Sequence, residues 1–165
     1  MPLSKLPATA LAAGAAKGNF GAGAVLQVVQ ASTSSQTSST SNTYADATNL
    51  FASITPSSST SKILVLVDYS AYVQTDNACQ MGVRLMRNGS VVVWEDAFAT
   101  MNNVNANVAT GTRNCINKLD SPNTTGALTY KLQFKRSYIA GTGYAVYING
   151  NTVNVSTITL MEIAG

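Results

Sequence analysis

The chain contains no histidine, which removes a large part of enzyme chemistry at once. Without it, neither a Ser-His-Asp nor a Cys-His arrangement can be built. Cysteine is nearly absent too: Cys79 and Cys115 stand far apart with no CxxC spacing, so a structural zinc site lacks ligands. Nothing else suggests an oxidising compartment, so two buried free thiols are expected; a disulfide requires their strands to be neighbours. Charge is scarce, at 10% of residues with a net +3 and no Lys/Arg run, so the electrostatic footprint of a nucleic-acid binder is missing. Surfaces this poor in charge associate readily, because little repulsion keeps copies apart. No apolar run approaches the length of a membrane-spanning helix. The opening MPLSKLPATALAAGAAKG has an Ala/Leu stretch broken by Pro7 and Thr9, too weak an apolar core for an export signal.

What is abundant is Ser, Thr, Asn, Ala and Gly, a composition that suits a rigid extracellular or virion β protein. The chain is long enough for one domain with a real core. Residues 1–24 differ from the rest, being Ala- and Gly-rich, without acid and basic only at Lys5 and Lys17. They are expected to form a flexible N-terminal arm, disordered alone and ordered on a partner, ahead of a β-sandwich over 25–165.

The central stretch is KILVLVDYSAYVQ, Lys62 to Gln74. Ile63, Val65 and Val67 point one way and Leu64 and Leu66 the other; beyond Asp68 only the odd positions stay apolar. Period-two alternation predicts a strand, and its doubly apolar half predicts cover on both faces, the second from another subunit against Leu64 and Leu66. Further strands are expected at Ala24–Gln30, Asn49–Thr55, Cys79–Arg87, Ser90–Phe98, Thr112–Asp120, Ala127–Arg136, Gly143–Asn149 and Ser156–Ala164. The Ser/Thr tract Ala31–Thr43 and the Asn-rich stretch Thr100–Gly111 read as long loops. Asn88-Gly89 predicts a tight hairpin, and Asn149-Gly150 a second turn of that kind. Eight to nine strands without a helix make an antiparallel β-sandwich of jelly-roll type, all-β in class.

Catalytic constellations do not emerge. Glu95 and Asp96 are adjacent in a strand and so point to opposite faces. Gly141–Gly143 lacks the strand-before, helix-after context of a phosphate loop, and the sequons at Asn88, Asn123 and Asn154 are expected by chance in such a composition. Tyr138, Tyr144 and Tyr147, near Lys135 and Arg136, have the chemistry to stack on a sugar, although packing is the commoner use of such rings. No catalytic, cofactor or metal role is expected anywhere, and the protein reads as a non-enzyme.

Taken in order, VLQVVQ, LFASITPSSSTSKILVLVDYSAYV, GVRLMRNGSVV, LDSP, TYKLQFKR and YINGNTVNVSTITLMEIAG resemble a β-sandwich module of tailed bacteriophages. In that family the module looks like the distal domain of tail fibres and tailspikes, or a stand-alone capsid decoration (cement) protein. A tail fibre carries a shaft and attachment domain before its tip, whereas a short arm precedes the sandwich here. The resemblance therefore implies first a decoration protein on the outer capsid surface, and second a receptor-binding tip that attaches to the host. A secreted lectin-like protein is a weaker third. The expected partners are the chain itself as a homotrimer, the major capsid protein and host-surface glycans, with no nucleic acid and no membrane insertion. Leu3, Lys5, Leu6, Leu11 and Lys17 are the expected capsid-binding arm residues; Leu64, Leu66, Met161 and Ile163 are the expected trimer interface.

Overall fold

The computed structural model describes residues 21–75, 79–98, 108–139, 145–150 and 153–165. Among them ten strands form: β1 (Val25–Thr33), β2 (Thr37–Ser39), β3 (Ala45–Ile54), β4 (Lys62–Thr75), β5 (Cys79–Arg87), β6 (Val91–Phe98), β7 (Val108–Asp120), β8 (Leu128–Ile139), β9 (Val146–Ile148) and β10 (Ser156–Ile163). The pairing is nested. β1 pairs with β10, β3 with β8, β4 with β7 and β5 with β6, all antiparallel. The chain is thus one long hairpin folded over on itself. Lateral pairing of β10 with β4 and of β8 with β5 closes it into sheets of order β1-β10-β4-β7 and β3-β8-β5-β6. This is the jelly-roll arrangement expected from the sequence.

Alternation puts one row of each strand into the space between the sheets. Ile63, Val65, Val67, Tyr69, Ala71 and Val73 of β4 meet Leu128, Tyr130, Leu132 and Phe134 of β8 in a single buried cluster. The strand count exceeds expectation by β2 alone, since β9 falls within the strand expected at Gly143–Asn149. β10 stops pairing with β4 at Asp68, and β9 takes its place beside Ala71–Val73, with β2 added outside it. Part of the Ser/Thr tract is therefore strand rather than loop, since a bare sheet edge favours any extended neighbour over its own propensity. β7 likewise begins at Val108, inside the stretch expected to be a loop, because β4 extends far enough to template it.

Register gives the sandwich two ends, separated by roughly 45 Å at the strand rise for β4. At one end lie Lys62, Ile163, Asp120 and the Asn88-Gly89 turn, and here the chain enters through Gly23, whose amide donates to the Ala164 carbonyl at 2.8 Å. At the other end lie Thr75, Val108, Cys79 and Ile139. The Asn88-Gly89 turn takes the expected form, with φ of 51° and 73° and the Ser90 amide bonded to the Arg87 carbonyl at 3.3 Å. Asn149-Gly150 does not. Asn149 has a φ of 54° but is fully buried, donating from Nδ2 to the Thr33 carbonyl at 3.0 Å and accepting from Ser156 Oγ at 2.7 Å. It is a polar rivet between strands, and a Cβ at Gly150 would run into Tyr72.

The entry end carries a heavily bonded buried charge. Glu162 belongs to the inward row of β10 and is fully buried. Its carboxylate accepts from Gln27 Nε2 at 2.6 Å, the Ser57 amide at 2.7 Å, Ser57 Oγ at 2.6 Å and Ser61 Oγ at 2.8 Å. Burial alone would raise its pKa, but the bonds from Ser57, Gln27 and Ser61 outweigh that and hold it at about 2. The serine-rich connection between β3 and β4 is thereby tied to β1 and β10 by a single side chain.

Candidate interaction face

The outward row of the β1-β10-β4-β7 sheet is apolar where such a row would ordinarily be wet. Val28 of β1 pairs with Met161 of β10, Met161 with Leu64 of β4, and Leu64 with Leu119 of β7. Paired residues share a face, so these four side chains form one continuous line across four strands. On the entry side of that line lie Val25 and Ile163, which pair with each other, and on the other side lies Leu66. Val28 is 56% exposed, Val25 53% and Leu119 48%, while Leu64, Leu66, Met161 and Ile163 are partly buried by one another.

The patch is framed by polar groups. Lys62 lies beside Ile163, and Gln30 donates to Thr159 Oγ1 at 2.9 Å on the far side. Beyond it Arg113 grips Asp68 with two bonds of 2.6 and 2.8 Å. An apolar centre with a polar rim is the anatomy of a protein–protein contact. Leu64, Leu66, Met161 and Ile163 are thus brought together on one outward face. Sequence reasoning missed Val28, Val25 and Leu119. An irregularity between Val25 and Gln27 shifts the phase of β1, so its alternation does not read cleanly along the chain. Leu119 shares its outward row with Cys115 and Asn117, which hides its apolar character. That parity also corrects the thiols: Cys79 is buried and free, but Cys115 is free and exposed, because it sits on the outer row of β7.

The opposite outer face, on β3-β8-β5-β6, carries a charged network at its centre, with Phe51 exposed beside Lys131 and Val91 and Val92 exposed on β6. The Tyr44 ring lies under Arg84 Cζ at 4.2 Å and Lys135 Nζ at 4.3 Å, and its hydroxyl donates to Glu95 Oε1 at 2.8 Å. Burial, then the bond to Glu95, pushes the Tyr44 phenol up to about 12. Asp46 accepts from Lys131 Nζ at 2.7 Å and Gln133 Nε2 at 2.5 Å, and Gln133 in turn accepts from Arg84 Nε at 2.7 Å. Gly82 is needed beneath this network, since a Cβ there would run into Ser137 Oγ and lie 3.0 Å from both Lys135 Cε and Tyr44 Oη.

Of the tyrosines considered for sugar stacking, Tyr147 packs edge-on against Tyr72 at 5.5 Å, Tyr138 is 54% exposed, and Tyr144 lies outside the described residues. The same is true of Leu3, Lys5, Leu6, Leu11 and Lys17, and of Gly141–Gly143. Among the described residues no group of three His, Cys, Asp or Glu side chains is placed to hold a metal ion.

No family model matches the chain, and no curated protein matches it. Its fold is similar to the structure of the Gt strain of infectious bursal disease virus, at 15% identity and a TM-score of 0.44 over 84% of this chain and 38% of that one. It is also similar to a mutant VP2 protein of the same virus in derived T=1 particles, at 15% identity and a TM-score of 0.43 over 84% and 36%. The chain spans under two-fifths of the length of either.

Proposed function

We propose that the chain is a virion structural protein: a homotrimeric decoration (cement) subunit that binds the outer surface of a phage head and reinforces it. The observation that carries this reading is the apolar line Val28–Met161–Leu64–Leu119 with Leu66 and Ile163 beside it. Each such side chain gains roughly 1.5–3 kcal/mol when fully buried, and a single copy realises only part of that gain because Val28 and Leu119 stay about half exposed. Three copies meeting around a threefold axis bring the patches together and close the assembly, whereas an open arrangement would propagate. The resemblance of the SITPSS, SKILV and STITLMEI segments to phage modules adds to this. The caged Glu162 gives it a physical basis, because Ser57 and Ser61 of the first two segments meet the glutamate of the third.

The arm with Leu3, Leu6 and Leu11 as apolar anchors and Lys5 and Lys17 as cations engages the major capsid protein. Residues 21–24 and Ala164 lie at the same end of the sandwich, and that end faces the shell in this reading. Light scattering of purified protein is expected to give three times 17.2 kDa, and a protein truncated to begin at Ala24 is expected to keep that mass but lose binding to undecorated heads. A monomer at micromolar concentration would overturn the trimer, and full head binding by the truncated protein would overturn the arm. Copies confined to the tail in particle images would favour the receptor-binding tip instead.

A further inference from the structure

At the end of the sandwich away from the chain entry lies a depression of about 420 Å³, lined by Thr40, Ser41, Asn42, Arg136, Ser137 and Tyr138. That volume falls within the roughly 300–1,000 Å³ usual for small-ligand sites. One wall is preformed. The Ser41 amide donates to Ser39 Oγ at 3.2 Å, the Thr43 amide to Ser41 Oγ at 3.0 Å, and the Arg136 amide to the Ser41 carbonyl at 2.9 Å. These bonds fix the loop against β8 before any ligand arrives, which lowers the ordering cost of binding. The other wall ends in Tyr138, a large ring left 54% exposed. Ser137 Oγ is buried beside it and has no hydrogen-bond partner among the described residues.

We propose that this depression binds one sugar residue of a surface polysaccharide. The lining holds hydroxyls and an amide that both donate and accept, one planar guanidinium, one aromatic ring and no carboxylate. A sugar ring has an apolar C–H face for the aromatic and a hydroxyl edge for bidirectional partners. A multiply charged anion would meet a single cation here, and a purely apolar ligand would strand the hydroxyls without partners. The site also lies at the end that points away from the shell; this orientation rests on the proposed role of the arm, whereas the site itself does not.

The test uses the full-length protein in solution with methyl glycosides of glucose, galactose, mannose and N-acetylglucosamine as probes. Backbone amide shifts are followed for Thr40–Asn42 and Arg136–Tyr138, with the molecular mass recorded on the same sample. At least one glycoside is expected to move these resonances, and Tyr138→Ala is expected to weaken that binding about tenfold or more. Asn42→Ala, an exposed loop position, serves as a second variant. The proposal is overturned if no glycoside shifts the site, or if both variants bind as the parent does. Because the mass is read separately, failure of the trimer leaves this result interpretable.

Discussion

The two outer faces of the sandwich obey the same alternation and reach opposite solutions. On β3-β8-β5-β6 the outward face carries Asp46, Arg84, Glu95, Lys131, Gln133 and Lys135, joined by side-chain bonds and stacked on Tyr44, with Phe51 the exposed apolar side chain beside Lys131. On β1-β10-β4-β7 the outward row is Val28, Met161, Leu64 and Leu119. Both faces back onto one apolar core, so the core does not distinguish them. What differs is the partner each face is suited to. Paired charges on an exposed sheet add little to stability and keep the surface soluble. A row of aliphatic side chains that is only partly buried gains its remaining stabilisation when a second surface covers it.

The largest effect should come from moving charge onto the apolar side. Leu64→Lys combined with Met161→Lys places two like charges opposite each other at the centre of the line. We expect complete loss of association at micromolar concentration, with the sandwich still folded because both side chains point outward. The matching control is Gln133→Lys with Lys135→Glu on the other sheet, which should leave the mass unchanged. If the control dissociates the assembly and the first pair does not, the two faces have been assigned the wrong way round.

Next in size is Glu162, the fully buried carboxylate of the apolar-faced sheet. Glu162→Ala removes the acceptor for Gln27, Ser57 and Ser61, and should lower the unfolding free energy by about 3 kcal/mol. The pH dependence follows from its folded value of about 2 against an ordinary 4.5. A carboxyl held below its unfolded value stabilises the fold fully above the ordinary value, and that contribution fades as pH falls from about 4.5 towards 2. Denaturant titrations between neutral and acid pH should show this decline in the parent and a much flatter limb in Glu162→Gln. An equal decline in both would assign the acid sensitivity elsewhere.

Much of this division was legible in the chain, for a physical reason. Strict alternation in ALTYKLQFKR and the doubly apolar KILVLV each state which faces are dry, because side chains in a strand have no other way to point. Alternation puts Leu64 with Leu66 on one side of their strand and Met161 with Ile163 on one side of theirs, and the pairing of β10 with β4 makes these one outer face. Where phase slips, the signal fails. β3 passes from Ala47 to Leu50 through Asn49 at a φ of 58°, so its buried positions lie three apart and only its second half reads as a strand. The Glu162 cage was hidden differently: an acid in an apolar row announces a buried charge, but Ser57 and Ser61 look like ordinary turn serines. Likewise the pairing of Thr37–Ser39 with β9 depends on an edge that only the assembled sheet presents.

A smaller effect is expected at Gly82, under the charged network. Gly82→Ala forces Ser137 Oγ, Lys135 Cε and Tyr44 Oη to give way, and Ser137 is too short to swing clear without losing its rotamer. We expect a loss of about 1–2 kcal/mol in thermal or denaturant unfolding. The oligomeric mass should not move, since the apolar face lies across the sandwich.

The smallest effect tests whether the charged face stabilises the fold at all. Lys131 bonds Asp46 at 2.7 Å, and burial of Asp46, which would raise its pKa, is outweighed by the bonds from Lys131 and Gln133, so the carboxyl sits below its ordinary value. The Asp46 side chain is nonetheless 52% exposed, so solvent and salt screen the pair. Lys131→Ala should therefore cost less than 1 kcal/mol, and the difference from the parent should shrink further as ionic strength rises. A double-mutant cycle with Asp46→Ala isolates the pair from whatever else each side chain touches. A coupling well above 1 kcal/mol would mean that the network around Tyr44 acts as one unit, and the charged face would then count as a structural element rather than a solvated surface.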